Sequence, residues 1–332
     1  MRSAFDEPEG VGLADILRVA RQSGVPYKSA HDGRFDTHPL QRCVVLRKQA
    51  DWRRALARPR KGSAERDAAA RKRFFMEAGP LTPYLAIDTA GLTFFVSTDD
   101  RLGRGLFVRR RRSDFRYLNR AVQLLSKNGL LQCSTFIDVG ANIGTTTVNA
   151  IRRHGFSHAV AIEPEPRNFR LLRLNIVAND IEARVTALRA AVSDRVGEVD
   201  LVLSPGMSGG HKLARLRSRA DEAVKVPAVT LDELARRELV KPENVGLLWI
   251  DAGGAEALVL TGASLLLERG VPIVAAVRPT RPGWPEMRQS LMTLLHDYTD
   301  FANLREKEPP VGELGPLLDS LTETGDLIAF AR

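Results

Sequence analysis

The sequence predicts an α/β protein built on a doubly wound, mostly parallel sheet with helices on both faces. From residue 134 onward, short runs with strand character alternate with segments of helical apolar spacing. Such alternation is typical of parallel strands joined by crossover helices. The length of 332 residues, 44% of them hydrophobic, provides for one large domain or two ordinary ones.

The predicted elements of the sheet follow one another closely along the chain. The strands are expected in "TFIDVG", "HAVAIEP", "RVTALRAAV", "VGLLWIDA" and "VPIVAAVRP". Helices are expected in "TTTVNAIRRHG", "EPRNFRLLRLNIVAND", "LDELARREL", "AEALVLTGASLLLERG" and "EMRQSLMTLLHDY". "GEVDLVLS" adds an extra strand. The last two strands, in "FANLRE" and "GDLIAFAR", are close enough to form a hairpin, which would give the sheet an antiparallel edge.

Residues 1 to about 130 are predicted to form an accessory segment of helices and strands. Helices are expected in "GLADILRVARQSG" and, in pieces broken near Pro59 and Gly62, in the charged stretch that follows. "YLAIDTAGLTFFVS" predicts two strands around a turn at Ala90 and Gly91. "SDFRYLNRAVQLLSKNG" predicts a helix that Ser113 caps. We therefore place the domain boundary at about residue 130.

The composition argues against several classes of protein. No apolar run reaches the roughly 18 residues that a membrane span needs, and "MRSAFDEPEG" lacks the apolar stretch of a secretory signal. Two cysteines, Cys43 and Cys133, cannot form a disulfide framework, and no motif requires a metal. We expect a cytoplasmic protein. The net charge of +9 permits contact with nucleic acid, anionic membranes or acidic metabolites.

Small residues follow the first strand of the predicted sheet at alternate positions. Asp138 is followed by Gly140, Asn142 and Gly144. The glycines let the backbone turn tightly and approach a ligand. This spacing differs from G-x-G-x-x-G, so a dinucleotide pyrophosphate is disfavoured. Asp138 would repel a pyrophosphate but could face an ammonium group, directly or through water. The alternative is an ordinary turn with exposed acids.

An acidic residue at the end of the second strand suggests which ligand this bend binds. Glu163 follows "HAVAI", and a carboxylate at that place in a doubly wound sheet can accept both hydroxyls of a ribose. Ribose recognition without a pyrophosphate fingerprint favours S-adenosylmethionine (SAM) over NAD.

The order of these blocks resembles FkbM-type SAM-dependent methyltransferases over roughly residues 130–332. The similar blocks are "FIDVGANIG", "AIEPEPRNFRLLRLNI", "AVSDRVGEVDLVLS", "TLDEL", "LLWIDAGGAEALVLTGASLLL" and "VPIVAAVRP". The resemblance implies the seven-stranded class I (Rossmann-like) sheet and methyl transfer to a hydroxyl of a sugar, polyketide or other secondary metabolite. The segment before residue 130 would be a lid, a homodimer element or a part that recognises the acceptor.

The resemblance also assigns candidate cofactor residues. The cofactor loop would consist of Asp138, Gly140, Asn142 and Gly144, with Glu163 as the ribose acid. Asn168 and Phe169 would line the adenosine side. Ala191 and Val192 would end the third strand, where the adenine edge is met.

Two departures from the family pattern fall where the methyl acceptor should lie. Family members commonly carry a polar residue where this chain has Gly253, and an acid near the position of Ala276. The candidate catalytic groups that survive are Asp251, Glu256 and His211. Each has an ordinary alternative: a helix-capping acid, an acid that favours the helix dipole, and a solvated loop histidine. The losses allow a second hypothesis, a SAM-binding protein with weakened catalysis.

A run of arginines allows a third hypothesis, an RNA methyltransferase. Arg109 to Arg112 are four adjacent cations that could pair with phosphates. Such runs are usually solvated, and only 6% of the chain is aromatic, so base stacking has little support. An acidic sugar or a phosphorylated carrier could use the same charge.

Overall fold

A computed structural model describes residues 64–89, 91–110, 112–132, 134–204, 206, 208–213 and 223–331. These residues fall into two compact units that divide between Arg112 and Ser113. None of the helices within these ranges is long and apolar enough to cross a membrane. Several sequence predictions lie outside the described residues: the helix in "GLADILRVARQSG", the breaks at Pro59 and Gly62, Cys43, Ala90, Arg111 and Cys133.

The first unit pairs two helices with a hairpin. Its elements are α1 (Ala64–Ala78), β1 (Tyr84–Thr89), β2 (Leu92–Ser97) and α2 (Arg101–Arg109). The strands pair antiparallel, which confirms the predicted hairpin. Phe75 of α1 packs against Phe107 of α2 with their ring centroids 5.5 Å apart. Asp100 caps α2 by accepting the backbone N–H of Gly103 at 2.7 Å. The arginine run begins at the end of α2, where Arg110 takes a left-handed conformation.

The second unit begins with α3 and contains two sheets. The helix expected in "SDFRYLNRAVQLLSKNG" is present, and it groups with this unit, ahead of the boundary placed at about residue 130. The helices are α3 (Ser113–Lys127), α4 (Thr145–Arg153), α5 (Pro166–Val177), α6 (Leu231–Arg236), α7 (Glu256–Thr261), α8 (Ser264–Leu267), α9 (Trp284–Leu294) and α10 (Leu314–Ser320). The strands are β3 (Thr135–Val139), β4 (His158–Ile162), β5 (Val185–Leu188), β6 (Ala191–Val192), β7 (Gly197–Val202), β8 (Lys212–Leu213), β9 (Ala223–Val229), β10 (Val245–Ile250), β11 (Ile273–Val277), β12 (Asp300–Asn303) and β13 (Gly325–Phe330).

The main sheet has seven strands in the order β12-β13-β11-β10-β3-β4-β5. Five neighbouring strands, from β11 to β5, run parallel. The sheet is therefore the doubly wound, mostly parallel one that the sequence predicts. The predicted hairpin is confirmed: β12 and β13 pair antiparallel at the edge of the sheet, with β12 outermost. Strand β13 is also antiparallel to its other neighbour, β11.

The end of the third strand also differs from the prediction. Strand β5 stops at Leu188, and the chain bends before Ala191 and Val192, which form the separate strand β6. Strand β6 belongs to a second sheet with the order β6-β9-β7-β8, and β7 is the extra strand expected in "GEVDLVLS". The helix expected in "AEALVLTGASLLLERG" is divided into α7 and α8. The division falls at Gly262, where a Cβ would lie 2.4 Å from the carbonyl oxygen of Ser193.

The strand order fixes where a ligand can bind. Strands β3 and β10 are neighbours in the sheet, and the chain runs outward from them in opposite directions. In such sheets the crevice beyond the carboxyl ends of these two strands is the binding site. Apart from Asp138, the buried side chains of both strands are apolar, so the other side chains available for chemistry are those at the strand ends.

Candidate active site

The bend after β3 is held against both neighbouring strands. The N–H groups of Gly140 and Ala141 both donate to the carbonyl of Ile162, at 2.9 and 3.0 Å. Gly140 has φ +79°, and a Cβ there would lie 2.2 Å from the backbone oxygen of Asp251. Only glycine fits this position, because the chain after β3 and the chain after β10 touch at the point where the strand order reverses.

The next two small residues start helix α4. Asn142 has φ 52°, and Gly144 has φ 81° and caps the helix without a side-chain hydrogen bond. A Cβ at Gly144 would lie 2.5 Å from Cδ1 of Leu172, so α5 closes this side of the bend. Because Gly144 has no side chain to cap α4, the first backbone N–H groups of this helix can donate hydrogen bonds to a bound ligand.

Glu163 stands at the tip of β4 and faces this bend. Its Oε2 accepts the N–H of Asn142 at 2.8 Å, and its Oε1 accepts the N–H of Glu165 at 2.9 Å. Its side chain is buried, with 5% of its surface exposed. Burial raises the pKa of Glu163 to about 7, although the backbone hydrogen bonds act in the opposite direction. Each carboxylate oxygen can accept about two hydrogen bonds, so Oε2 keeps capacity for a ribose hydroxyl, whereas Oε1 also receives the side-chain amide of Asn168.

Asp138 lies deeper than Glu163, inside the sheet. Its carboxylate accepts a hydrogen bond from the hydroxyl of Thr147 on α4 at 2.5 Å and is almost completely buried. Burial raises its pKa to about 7. The direct or water-mediated contact with a ligand's ammonium group stays a prediction; the contact that the geometry provides is with α4.

The remaining cofactor candidates divide between the two sheets. Asn168, on α5, reaches the Oε1 of Glu163 with its side-chain amide at 3.4 Å, and Phe169 beside it is buried. Ala191 and Val192 stand in β6, so the chain segment at the tip of the third strand is the one that follows Leu188 instead.

Two of the three catalytic candidates lie together after β10. Asp251 follows the last residue of the strand, and its side chain is about half exposed. Glu256 begins α7, is 2% exposed, and accepts the N–H of Gly254 at 3.0 Å. Burial raises the pKa of Glu256 to about 7, and the negative charge of Asp251 also raises it. Gly253, with φ 67°, makes the tight turn between them.

The third candidate, His211, lies in the second sheet. Its Nδ1 accepts the backbone N–H of Ser204 at 3.0 Å, just before β8. A neutral imidazole that accepts at Nδ1 carries its proton on Nε2. In this arrangement the ring can donate a hydrogen bond, but it cannot take a proton at Nε2.

A cavity opens beside Glu256, at the carboxyl end of β11. Its lining includes Glu256, Ala276, Arg278, Arg281 and Trp284. Arg278 approaches Asp251, with 3.7 Å between Nη2 and Oδ1. Glu256 and two guanidinium groups therefore line the place where the sheet would present an acceptor to the cofactor, and Asp251 lies beside Arg278.

One further carboxylate near the site is not marked by any pattern in the sequence. Asp326, on β13, pairs in register with Ala276, so a carboxylate stands beside the position where the family's acid was expected. It is buried and lies 2.6 Å from Nε of Arg305. Burial raises the pKa of Asp326 to about 6. No local motif marks this residue, because strand pairing brings it here from 50 positions further along the sequence.

The described residues contain no group of three or more histidine, cysteine, aspartate or glutamate side chains that could hold a metal ion. The residues at the bend fit SAM, because Oε2 of Glu163 keeps capacity for a ribose hydroxyl and lies next to the start of α4.

This strand order, with a glycine bend after β3 and a carboxylate at the tip of β4, is the arrangement expected of a class I SAM-dependent methyltransferase domain. The family model for the methyltransferase FkbM domain matches residues 138–301. Residues 138–301 therefore match the FkbM methyltransferase domain, in the part of the chain where the sequence blocks predicted it.

The relatives of the chain are methyltransferases. The methyltransferase sdnD of Sordaria araneosa is 32% identical over 153 residues, which cover 38% of this chain and 59% of that protein. The chain thus spans less than two thirds of the length of this curated relative. The FkbM methyltransferase structure from Methylobacillus flagellatus KT matches at 12% identity and a TM-score of 0.39, over 87% of this chain and 60% of that one. M. jannaschii TYW2, solved in complex with AdoMet, matches at 11% identity and a TM-score of 0.33, over 75% and 87%. With TM-scores this low, these two structures assign no role to any residue of this chain.

Proposed function

We propose that this protein transfers the methyl group of SAM to a hydroxyl oxygen of a small or carrier-linked metabolite, such as a sugar or a polyketide. The observation that carries the proposal is the pairing of Glu163 with the Asn142 N–H across the glycine bend, inside a domain of the FkbM family. This pairing holds a buried carboxylate where the ribose of SAM would lie.

The residues around β3 and β4 would hold the cofactor. Glu163 accepts a ribose hydroxyl at Oε2, since Oε1 already accepts the Glu165 N–H and the side-chain amide of Asn168. Gly140 and Gly144 let the bend pack closely against the Asp251 backbone and Leu172, beside the place where the methionine part of SAM would lie. Asp138 holds α4 through Thr147. When bound, SAM supplies an electrophilic methyl group on a sulfonium centre, and alignment of the acceptor with it supplies much of the rate.

The residues after β10 would receive the acceptor's proton. An alcohol has a pKa far above neutral, so a positioned base accelerates its reaction by about 10²–10⁴-fold. We assign this task to Glu256, because it lines the cavity and its pKa of about 7 makes it a stronger base than an exposed glutamate. Asp251 lies 3.7 Å from Arg278, and its negative charge would hold the guanidinium group of Arg278 in place. His211 is not given a role, since its protonated Nε2 cannot act as a base.

Calorimetry with SAM, and with NAD as the contrast, tests the cofactor assignment. We expect saturable binding of SAM and none of NAD. Incubation of the SAM-loaded protein with hydroxyl-bearing metabolites, followed by mass spectrometry, tests the activity. The expected result is S-adenosylhomocysteine in equal amount to a product heavier by one methylene, with the added methyl on oxygen. Failure to bind SAM would refute the proposal, and binding without turnover across sugars and polyketides would favour the weakened-catalysis hypothesis instead.

A further inference from the structure

The cavity beside Glu256 has a composition that the proposed methyl transfer does not require. Arg278 and Arg281 follow β11, and Trp284 begins α9. All three line the cavity and are partly buried. Transfer to a neutral hydroxyl needs a base and a shape, but it needs no pair of cations.

Arg281 is placed against the turn that carries the acids. A Cβ at Gly254 would lie 3.0 Å from Nη1 of Arg281, so the glycine makes room for the guanidinium group. No hydrogen bond joins the Arg281 side chain to the described residues. Burial, followed by the nearby charge of Arg278, lowers the pKa of Arg281, which means that its charge is incompletely compensated.

The two nearby acids offset the arginines only in part. Asp251 is half exposed and stands 3.7 Å from Arg278, longer than a hydrogen bond. Glu256, with its pKa of about 7, is only about half ionised at neutral pH. Gly283 caps α9 with no side-chain hydrogen bond, so the positive end of this 11-residue helix adds to the field of the arginines.

Resting on the proposed function, we propose that the methyl acceptor carries an oxyanion, a carboxylate or a phosphate, which Arg281 and Arg278 bind in the cavity beside Trp284. Planar guanidinium groups bind such oxyanions through paired N–H donors. The ring of Trp284 provides a flat apolar wall for the scaffold that carries the charge. The hydroxyl to be methylated then lies toward Glu256, at the other side of the same cavity.

Indole ¹H–¹⁵N signals of the full-length protein provide the test. The chain has three tryptophans, and Trp284→Phe assigns the signal that reports on the cavity. Inorganic phosphate and acetate are titrated separately at constant ionic strength, with chloride as the balancing salt. We expect a saturable shift of the Trp284 signal in the millimolar range, and the stronger of the two anions indicates whether the acceptor's charge is a phosphate or a carboxylate.

Arginine variants decide which side chains are responsible. Arg281→Gln should weaken anion binding about tenfold, since a hydrogen bond to a charged group is lost. Arg288→Gln is the matched control, because Arg288 lies on α9 and pairs with Asp319 at 2.9 Å. It should bind the anions like the unaltered protein. SAM calorimetry on each variant shows that the fold is intact.

Three results would overturn the inference: no shift of the Trp284 signal, an unchanged affinity in Arg281→Gln combined with Arg278→Gln, or competition between the anion and SAM. The last result would assign the arginines to the cofactor. If the anions bind as expected but SAM does not bind at all, the oxyanion site stands and the proposed methyl transfer fails.

Discussion

The two halves of the crevice are built by different means. On the side of β3 and β4, the buried Glu163 accepts hydrogen bonds from two backbone N–H groups, and the glycines of the bend pack directly against neighbouring chain segments. On the side of β10 and β11, the side chains of Glu256, Arg278 and Arg281 line a cavity, and Asp251 lies 3.7 Å from Arg278. The backbone-held side is suited to binding the same ligand in every relative. On the side built from side chains, the residues can be substituted without loss of the fold.

This difference explains where the chain departs from its family pattern. Gly253 and Ala276, the two unexpected residues, both belong to the second side. Ala276 lines the cavity, and Asp326 stands opposite it on the neighbouring strand. We expect a substitution on this side to change which acceptor fits, and a substitution on the β3 side to weaken the binding of SAM. Variants on the two sides should therefore affect different measured constants.

The largest effect is expected from the base. Glu256→Gln keeps the size of the side chain and removes its ability to take a proton, so kcat should fall by about 10²–10⁴-fold. The Kd for SAM should stay the same, because Glu256 lies on the β11 side of the crevice. Single-turnover assays at saturating SAM measure the first quantity and calorimetry the second.

Asp251→Asn is the comparison for that variant. Its side chain is half exposed and contacts Arg278 only at 3.7 Å, so we expect a smaller loss of kcat than with Glu256→Gln. The opposite order of the two losses would assign the base to Asp251. Equal and slight losses in both variants would show that neither carboxylate takes the proton.

The β3 side was accessible from the sequence because its signal is local. The spacing of Gly140, Asn142 and Gly144 and the acid after "HAVAI" are contiguous patterns, and the structure brings them into contact. The parallel core was predicted by the alternation of elements, and the terminal hairpin by the closeness of the last two strands along the chain. The pairing of β13 with β11 was not predicted, because it joins strands that are distant in the sequence.

The β11 side was only partly accessible for the same reason. Glu256 and Asp251 follow a predicted strand, so the sequence offers them as candidates. Arg281 reaches the cavity through a turn, and Asp326 comes to lie beside Ala276 through strand pairing. The bend after Leu188, which moves Ala191 into the second sheet, depends on a long-range pairing with β9. His211 was a candidate because its loop is rich in glycine. Its hydrogen bond to Ser204 could not be read from the sequence.

The next largest effect should come from the glycine bend. Gly140→Ala adds a Cβ 2.2 Å from the Asp251 oxygen at φ +79°, so we expect at least about a hundredfold loss of SAM affinity and about 2–5 kcal/mol of stability. Gly155→Ala is the matched control. Gly155 has φ +74° with nothing within 4 Å of the added Cβ, so it should lose only about 1 kcal/mol. Thermal unfolding and calorimetry measure both variants. Equal losses of stability in the two would mean that backbone strain, and not the contact between the two loops, determines the effect.

Glu163→Gln should weaken SAM binding about 10–100-fold, because hydrogen bonds from the ribose to a charged acceptor are worth about 1.5–3 kcal/mol. The kcat at saturating SAM should change little, since the variant leaves the cavity after β11 untouched. Glu165→Gln is a control at a neighbouring carboxylate, which caps α5 by accepting the N–H of Asn168. It should reduce stability more than affinity. A normal SAM affinity in Glu163→Gln would remove the ribose role from this residue.

The smallest effect, a dependence of affinity on pH, tests the ribose contact most directly. Burial raises the pKa of Glu163 to about 7 in the free protein, and hydroxyl donors favour its ionised form. Binding should therefore release a proton below pH 7, and affinity should rise about tenfold between pH 6 and pH 8 before it levels off. Adenosine is the better probe, since it has the ribose but lacks the amino group of SAM, which titrates in the same range. Calorimetry in two buffers of different ionisation enthalpy counts the released protons. Asp138→Asn should keep this dependence. The pKa of Asp138 is also about 7, but its carboxylate accepts a hydrogen bond from Thr147 and would not contact the ribose. Glu163→Gln should abolish the dependence, and a slope that survives in Glu163→Gln but disappears in Asp138→Asn would reverse the two assignments.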